Sequence, residues 1–328
     1  MLTAEGGGHG SGPAVASAPA IAVEDLVVAY GSFRAVDGLS FRVERGEIYA
    51  LLGPNGAGKT TTVETLEGHR RATSGRVRVL GRDPARAGRA LRDRLGIVLQ
   101  SGGLDAELTV VELVRLYAGL YARPRDIAAT IEQTGLTDKR RARVRTLSGG
   151  QRRRLDLALA LVGDPDLIFL DEPTTGFDPG ARRAAWDMID TLRDQGATVL
   201  LTSHYLDEVQ RLADRVGVLS RGRLIAESTP GALGGRDVTD SVIRFRLPAT
   251  DRAGVELPAG PWATPECHGD MVAIHTDRLT MALLTLTTWA TARGEELCAL
   301  TVMRPSLEDV YLQLTGDAEQ AEGGHRVR

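Results

Sequence analysis

The run Gly53-Pro54-Asn55-Gly56-Ala57-Gly58-Lys59-Thr60 constrains this chain more than any other stretch. It fits the pattern G-x-x-x-x-G-K-[ST] and lies between five apolar residues, Ile48–Leu52, and a helical pattern over Lys59–Leu66. A strand, a glycine-rich turn and a helix start, in that order, make an anion cradle. The glycines let successive N–H groups curl around phosphate oxygens, and the helix adds its positive end. Lys59 is expected to reach the β and γ phosphates of a nucleotide. Thr60 is expected to ligate Mg²⁺, with Thr61 beside it. The chain prefers arginine so strongly that Lys59 and Lys139 are its only lysines, which makes the position of Lys59 informative.

Around the loop, residues 21–235 alternate between strand and helix patterns. Ile48–Leu52, 96–99, 167–170 and 198–202 are short apolar runs, as expected of strands covered on both faces of a mostly parallel sheet. Helical periodicity appears at 59–66, 110–121, 149–162, 181–193 and 205–213. The expected fold class is α/β with crossover helices. Residues from about 104 to 145 are helical with no evident strand and read as a helical insertion.

Two further features point to phosphate chemistry. Leu167-Ile168-Phe169-Leu170-Asp171-Glu172 is an apolar strand ending in two carboxylates, at the sheet edge where open α/β folds bind ligands. Asp171 suits holding Mg²⁺ through water, and Glu172 suits accepting a proton from attacking water. Leu147-Ser148-Gly149-Gly150-Gln151 precedes a helix carrying Leu155, Leu157, Ala158, Leu159 and Leu161. Ser148 can cap that helix, and the glycines let N–H groups approach a second anion. Taken alone, the acidic pair is a solvated edge and the serine a helix cap. Their separation of 24 residues, one strand–helix unit, ties them together.

This combination resembles the ATP-binding cassette (ABC) family, whose nucleotide is sandwiched between the phosphate loop of one cassette and the LSGGQ signature of another. The resemblance covers about residues 21–235. It implies a P-loop NTPase cassette with a mostly parallel core sheet, an antiparallel β part and a helical insertion. Tyr30, in Val28-Ala29-Tyr30-Gly31, resembles the aromatic that stacks on adenine. Gln100, ending Ile97-Val98-Leu99-Gln100, resembles the glutamine that touches Mg²⁺ and water and links them to the insertion. Thr175-Gly176-Phe177-Asp178 resembles the loop that contacts the opposite cassette, with Phe177 where leucine is more usual. His204, in Thr202-Ser203-His204-Tyr205, resembles the switch histidine that senses the γ-phosphate. The resemblance therefore implies ATP and Mg²⁺ as ligands. Glu172, His204 and Gln100 would be catalytic, and Thr60, Gln100 and Asp171 would hold the metal. ATP would lie on Tyr30 and residues 53–61. A second copy, in a head-to-tail homodimer, would add Ser148, Gly149, Gly150, Gln151 and Asp178.

Around residues 231–240 the pattern lapses into Gly, Arg and Asp, so a boundary is expected there, with a small α+β domain over 236–316. From Val242 the chain alternates, with Ile243, Phe245 and Leu247 on one face and Arg244 and Arg246 on the other. Leu279, Ala282, Leu283, Leu286, Trp289 and Ala290 form a helical stripe. In Pro305-Ser306-Leu307-Glu308-Asp309, Ser306 can cap a further helix that carries Val310, Tyr311 and Leu314. That ending, and Glu67-Gly68, resemble bacterial exporter ATPases of the drug-resistance type. They imply a separate integral membrane permease as partner. An importer ATPase with a C-terminal regulatory domain, and a soluble cassette acting on ribosomes or DNA, remain as alternatives.

Composition sets outer bounds. A net charge of −3 counts against a general nucleic-acid binder, and none is expected. Two cysteines cannot build a disulfide scaffold or a four-thiolate zinc site. No run reaches the roughly 18–20 apolar residues of a membrane span; the longest, 279–292, is short and broken by threonines. Residues 1–20 lack the basic and apolar regions of a signal peptide and read, like 317–328, as a flexible tail. The expected location is cytoplasmic, peripheral on the inner face of the membrane.

Overall fold

The computed structural model describes residues 18–98, 103–233, 241–247, 257–262, 264–303 and 311. In chain order the first half runs β1 (Ile21–Tyr30), β2 (Phe33–Val43), β3 (Ile48–Leu52), α1 (Lys59–Leu66), β4 (Ser74–Val79), α2 (Arg89–Arg92), β5 (Leu95–Val98), α3 (Val110–Ala118) and α4 (Ile127–Gln133). Then follow α5 (Gly149–Leu161), β6 (Leu167–Asp171), α6 (Pro179–Asp194), β7 (Thr198–Ser203), α7 (Leu206–Leu212), β8 (Arg215–Ser220) and β9 (Arg223–Ser228). The described remainder contains β10 (Ser241–Arg246), β11 (Glu266–His268), β12 (Met271–Thr276), α8 (Leu279–Ala292) and β13 (Cys298–Met303).

The unbroken apolar runs become the centre of a six-stranded sheet ordered β5-β6-β7-β3-β8-β9. It is parallel except for β9, which returns antiparallel on β8. Side chains alternate across it. Tyr49, Leu51, Phe169 and Leu200 face one way, into a core shared with α1 and the antiparallel sheet β2-β1-β4. Ile48, Ile168, Leu170, Val199 and Leu201 face the other way, onto Leu157 and Leu161 of α5 and Ile189 and Leu192 of α6. Burial on both faces is why these strands read as continuous apolar runs.

The insertion has its own core. Val110, Leu113 and Val114 of α3 and Ile131 of α4 pack on Leu155, Ala158 and Leu159 of α5 and on Val162 just after it. Thr109 caps α3 in a capping box with Glu112, and Asp126 caps α4. Short 3₁₀ turns at Thr137–Lys139 and Val144–Thr146 complete it.

The C-terminal unit is a separate antiparallel sheet, β11-β12-β10-β13, covered by α8. Ile243 and Phe245 are fully buried against Val272, Ile274, Ala282 and Leu286, while Arg244 and Arg246 are exposed. The alternation and the helical stripe both appear as the sequence predicts. The stretch 305–309 lies outside the described residues. Tyr311 packs against the cluster formed by Ala50, Leu52, Val209, Val216, Val218 and Leu233, part of the six-stranded sheet's own core.

Candidate nucleotide site

The strand register builds the site. Asp171 on β6 pairs with Thr202 on β7, and Leu52 on β3 pairs with Ser203. The carboxyl ends of three parallel strands thus stop at one edge, and the loop after β3 starts there. Gly58 has φ of 101°, and a Cβ on it would stand 2.4 Å from the Ala35 carbonyl oxygen. A Cβ on Gly53 would stand 2.5 Å from the Leu219 carbonyl oxygen. No other residue fits either position without moving backbone.

Lys59 is only 7% exposed. Its Nζ donates to the carbonyls of Gly53 at 2.6 Å and Pro54 at 3.1 Å. Burial pushes the ammonium below the usual lysine value, opposed by the charges of Glu172 and Asp171. This is a desolvated cation whose hydrogen-bond partners are neutral, the condition under which a phosphate is a favourable addition.

Glu172 has φ of 47°, a left-handed backbone that costs a non-glycine residue about 1–3 kcal/mol. Its N–H donates to the Thr202 carbonyl at 3.1 Å, which holds it there. Its carboxylate lies 3.1 Å from His204 Nδ1 and accepts from Thr175 Oγ1 at 3.2 Å. Asp171 accepts from the Thr202 hydroxyl. Arg153 binds the carbonyls of Asp171 and Pro173, each at 3.0 Å, which anchors the acidic turn from behind.

Tyr30, Asn55, Gly56, Gly58, Lys59, Thr60, Thr61, Glu172 and His204 line one cavity of about 670 Å³. Gly53, Pro54 and Ala57 complete its phosphate loop. The structure therefore brings together most of the residues predicted for this half of the site. Tyr30 is 44% exposed, with the Arg70 guanidinium 4.7 Å from its ring centre.

Ser148, Gly149, Gly150, Gln151 and Asp178 line a different cavity, of about 400 Å³, which shares no lining residue with the first. Gln151 N–H donates to Ser148 Oγ at 3.3 Å, and Ser148 N–H donates to Gln151 Oε1 at 3.0 Å. The signature is thus a reciprocal capping box on α5. Asp178 caps α6, accepting from Gly180 and Ala181 N–H at 2.9 Å. Those backbone bonds, the Ala181 one foremost, hold its carboxyl below the usual aspartate value. Gln100 lies outside the described residues.

Sequence reading missed Phe33, Thr175 and Thr202. Phe33 is 63% exposed on the rim of the first cavity. A large exposed aromatic two residues after the start of a turn was the available signal. Thr202 gave none, because its partners Asp171 and Glu172 lie at the end of another strand; Thr175 stands three positions after Glu172, in a motif read only for its contact with the opposite cassette.

Over residues 36–175 the chain matches the family model described as ABC transporter. It is 40% identical over 310 residues to the daunorubicin resistance ATP-binding protein DrrA3 of Streptomyces coeruleorubidus, covering 91% of this chain and 96% of that one. The chain belongs to the ABC transporter ATP-binding family. Two other relatives bear this out. The daunorubicin/doxorubicin resistance ATP-binding protein DrrA of Streptomyces peucetius is 41% identical over 307 residues, covering 90% of this chain and 92% of that one. The Nod factor export ATP-binding protein I of Ralstonia nicotianae is 38% identical over 320 residues, covering 93% and 96%. Among solved structures, CbiO1 of Clostridium perfringens, part of an ABC transporter complex, superposes with a TM-score of 0.60 at 30% identity over 65% of this chain and 89% of that one. Residues 241–306 match the model for the C-terminal domain of ABC transporter domain-containing proteins. This ABC protein is therefore a nucleotide-binding, ATP-hydrolysing transporter ATPase on an α/β P-loop fold. Among its described residues no helix is long and apolar enough to cross a membrane.

Proposed function

We propose that this chain powers export through a separate membrane permease, by hydrolysing ATP at two composite sites between two copies of itself. The observation that carries the reading is the division of the site. Lys59, Glu172 and His204 line one cavity, which no signature residue enters, and Ser148 to Gln151 and Asp178 line another; Gly149 and Glu172 meet only in a smaller cavity that Lys59 does not line. A head-to-tail pair would bring each phosphate loop against a partner signature. The relatives named for drug resistance and Nod factor export support the direction of transport.

Mg²⁺ fits the donors present: Thr60 on the first turn of α1, with Asp171 and Glu172 close enough to bias Lys59. Carboxylates and a hydroxyl beside a phosphate cradle are the oxygen set that magnesium accepts. When bound, the ion would neutralise charge building on the phosphates. Thr60, Asp171 and Gln100 would hold it. Lys59 and the loop N–H groups stabilise the transferring phosphoryl group. Glu172 takes a proton from the attacking water. His204, 3.1 Å from Glu172, orients both toward the γ-phosphate. Tyr30 stacks on adenine. The partner's copy of the signature serine and glycine closes the site.

Residues 21–235 act as the cassette and 236–316 as an accessory unit; their separate sheets support that division. The insertion over about 104–145 is the face offered to the permease, placing the ATPase on the cytoplasmic side of the membrane. The test uses the full chain carrying Glu172→Gln with Mg²⁺ and ATP. Sedimentation should show an ATP-dependent dimer that Ser148→Arg abolishes, and a tagged chain should co-isolate a polytopic membrane protein. A monomer under all nucleotide conditions would refute the composite site.

A further inference from the structure

His204 is 40% exposed at the end of β7, yet it is packed on one side. Its ring centre lies 4.1 Å from that of Tyr205, the planes tilted by 38°. The Arg182 guanidinium also lies over the Tyr205 ring, 4.2 Å from its centre. Arg182 belongs to the first turn of α6, and its N–H donates to the carbonyl of the capping residue Asp178 at 3.0 Å. Arg182 Nε is buried and has no hydrogen-bond partner among the described residues. The guanidinium is thus held by its stack rather than by a directed bond from that atom. From α6 to the reacting carboxylate the order is Asp178, Arg182, Tyr205, His204, Glu172, every step a contact.

A second tie fixes the same turn. Glu208 is fully buried and accepts from Ser203 Oγ at 2.5 Å and from Trp186 Nε1 of α6 at 3.2 Å. Ser203 Oγ accepts in turn from Tyr205 N–H at 3.0 Å. The residues on both sides of His204 are therefore bound through one carboxylate to α6. Arg211 of α7 adds contacts to Asp187 and Asp190 of α6 at 3.2 and 3.1 Å.

We propose that Arg182 and Tyr205 are positioning residues for His204, setting its ring against Glu172 according to where the first turn of α6 lies. The proposal rests on the proposed γ-phosphate contact of His204 and names what holds that side chain in place. Asp178 and α6's first turn line the signature cavity, so a contact made there shifts Arg182 and, through the Tyr205 ring, His204. A stack whose members touch transmits such a shift, because moving one displaces the next.

The test compares Arg182→Ala, Tyr205→Ala, Tyr205→Phe and His204→Ala in the full chain, with Mg²⁺ present. Equilibrium titration gives ATP and ADP affinities, and phosphate release gives turnover. Arg182→Ala and Tyr205→Ala should lower the preference for ATP over ADP about tenfold and lower kcat by a similar factor. ADP affinity should stay constant, which a general loss of folding would not allow. Tyr205→Phe keeps the ring and should recover most of the loss. The double alanine variant should be no worse than either single one. If His204→Ala abolishes the preference while Arg182→Ala and Tyr205→Ala leave it intact, the positioning role is overturned and the histidine's role stands. If His204→Ala is itself silent, both fall. Equal losses of ATP and ADP affinity with a lowered melting temperature would also overturn the proposal.

Discussion

Replacing Glu172 by glutamine removes the proton acceptor and one negative charge from the site while leaving its shape. Both contacts survive in form: the amide oxygen can still accept from the Thr175 hydroxyl, now 3.2 Å from Oε2, and the backbone N–H still donates to the Thr202 carbonyl. Folding should therefore be nearly unaffected. Turnover should not. Without a base for the attacking water, the rate is expected to fall by ~10²–10⁴, equivalent to about 2.7–5.4 kcal/mol of barrier. ATP binding should move the other way. Glu172 is the first charge that acts on Lys59, and it faces the cavity that would receive a polyanion. Losing it removes a repulsion, so the ATP dissociation constant should stay equal or decrease. Single-turnover phosphate release and a fluorescent-nucleotide titration measure the two effects on one preparation. Turnover within tenfold of the unsubstituted chain would refute the assignment of the base. So would lost ATP binding in a protein whose melting temperature is unchanged.

Lys59→Ala removes a desolvated cation worth about 1.5–3 kcal/mol to a charged acceptor, so ATP affinity should fall roughly 10–150-fold by titration. Ser148→Ala deletes a helix cap and should cost about 1 kcal/mol in denaturant unfolding, together with loss of ATP-dependent dimerisation in sedimentation. Glu67 is 7% exposed, and burial, with the Asp171 and Glu64 charges, pushes its carboxyl up to about 7. A raised acid binds its proton more tightly folded than unfolded, so stability should decline as pH rises from about 4.5 to 7 and level off above. Glu67→Gln should flatten that decline and gain up to ~3 kcal/mol at pH 8, read by urea unfolding across the pH range.

The sequence was most legible where two signals coincided. Over Ile48–Leu52 and Lys59–Leu66 the apolar period and the glycine turn agree, and β3 and α1 fall on those bounds. The antiparallel sheet was far less legible. β1 shifts register between Val23 and Leu26, and again between Leu26 and Val27, so its apolar residues do not keep a period of two. Asp25, with φ of 48°, sits in that irregular stretch. Side-chain direction was the other loss. Arg182 on α6 and Tyr205 just before α7 are 23 positions apart, and no spacing rule joins them. Motif spacing finds the groups that face the ligand; it does not find the groups that hold them.

Ser148 shows how one position can answer to both levels. As a cap, it needs only an acceptor for the Gln151 N–H, and aspartate or asparagine would serve as well. As the proposed lid on a partner's nucleotide, it must also offer something to a phosphate oxygen. A hydroxyl has one proton and two lone pairs, so it can accept from Gln151 and donate outward in the same conformation. An aspartate in its place would cap equally well, yet it would have no proton to give and would repel the phosphate. The local rule for starting α5 allows several residues, and the chemistry proposed across the dimer selects serine among them. Ser148→Asp therefore separates the two demands: α5 should keep its stability in denaturant unfolding, while ATP-dependent dimerisation is lost. Retained dimerisation would show that the hydroxyl serves the helix alone.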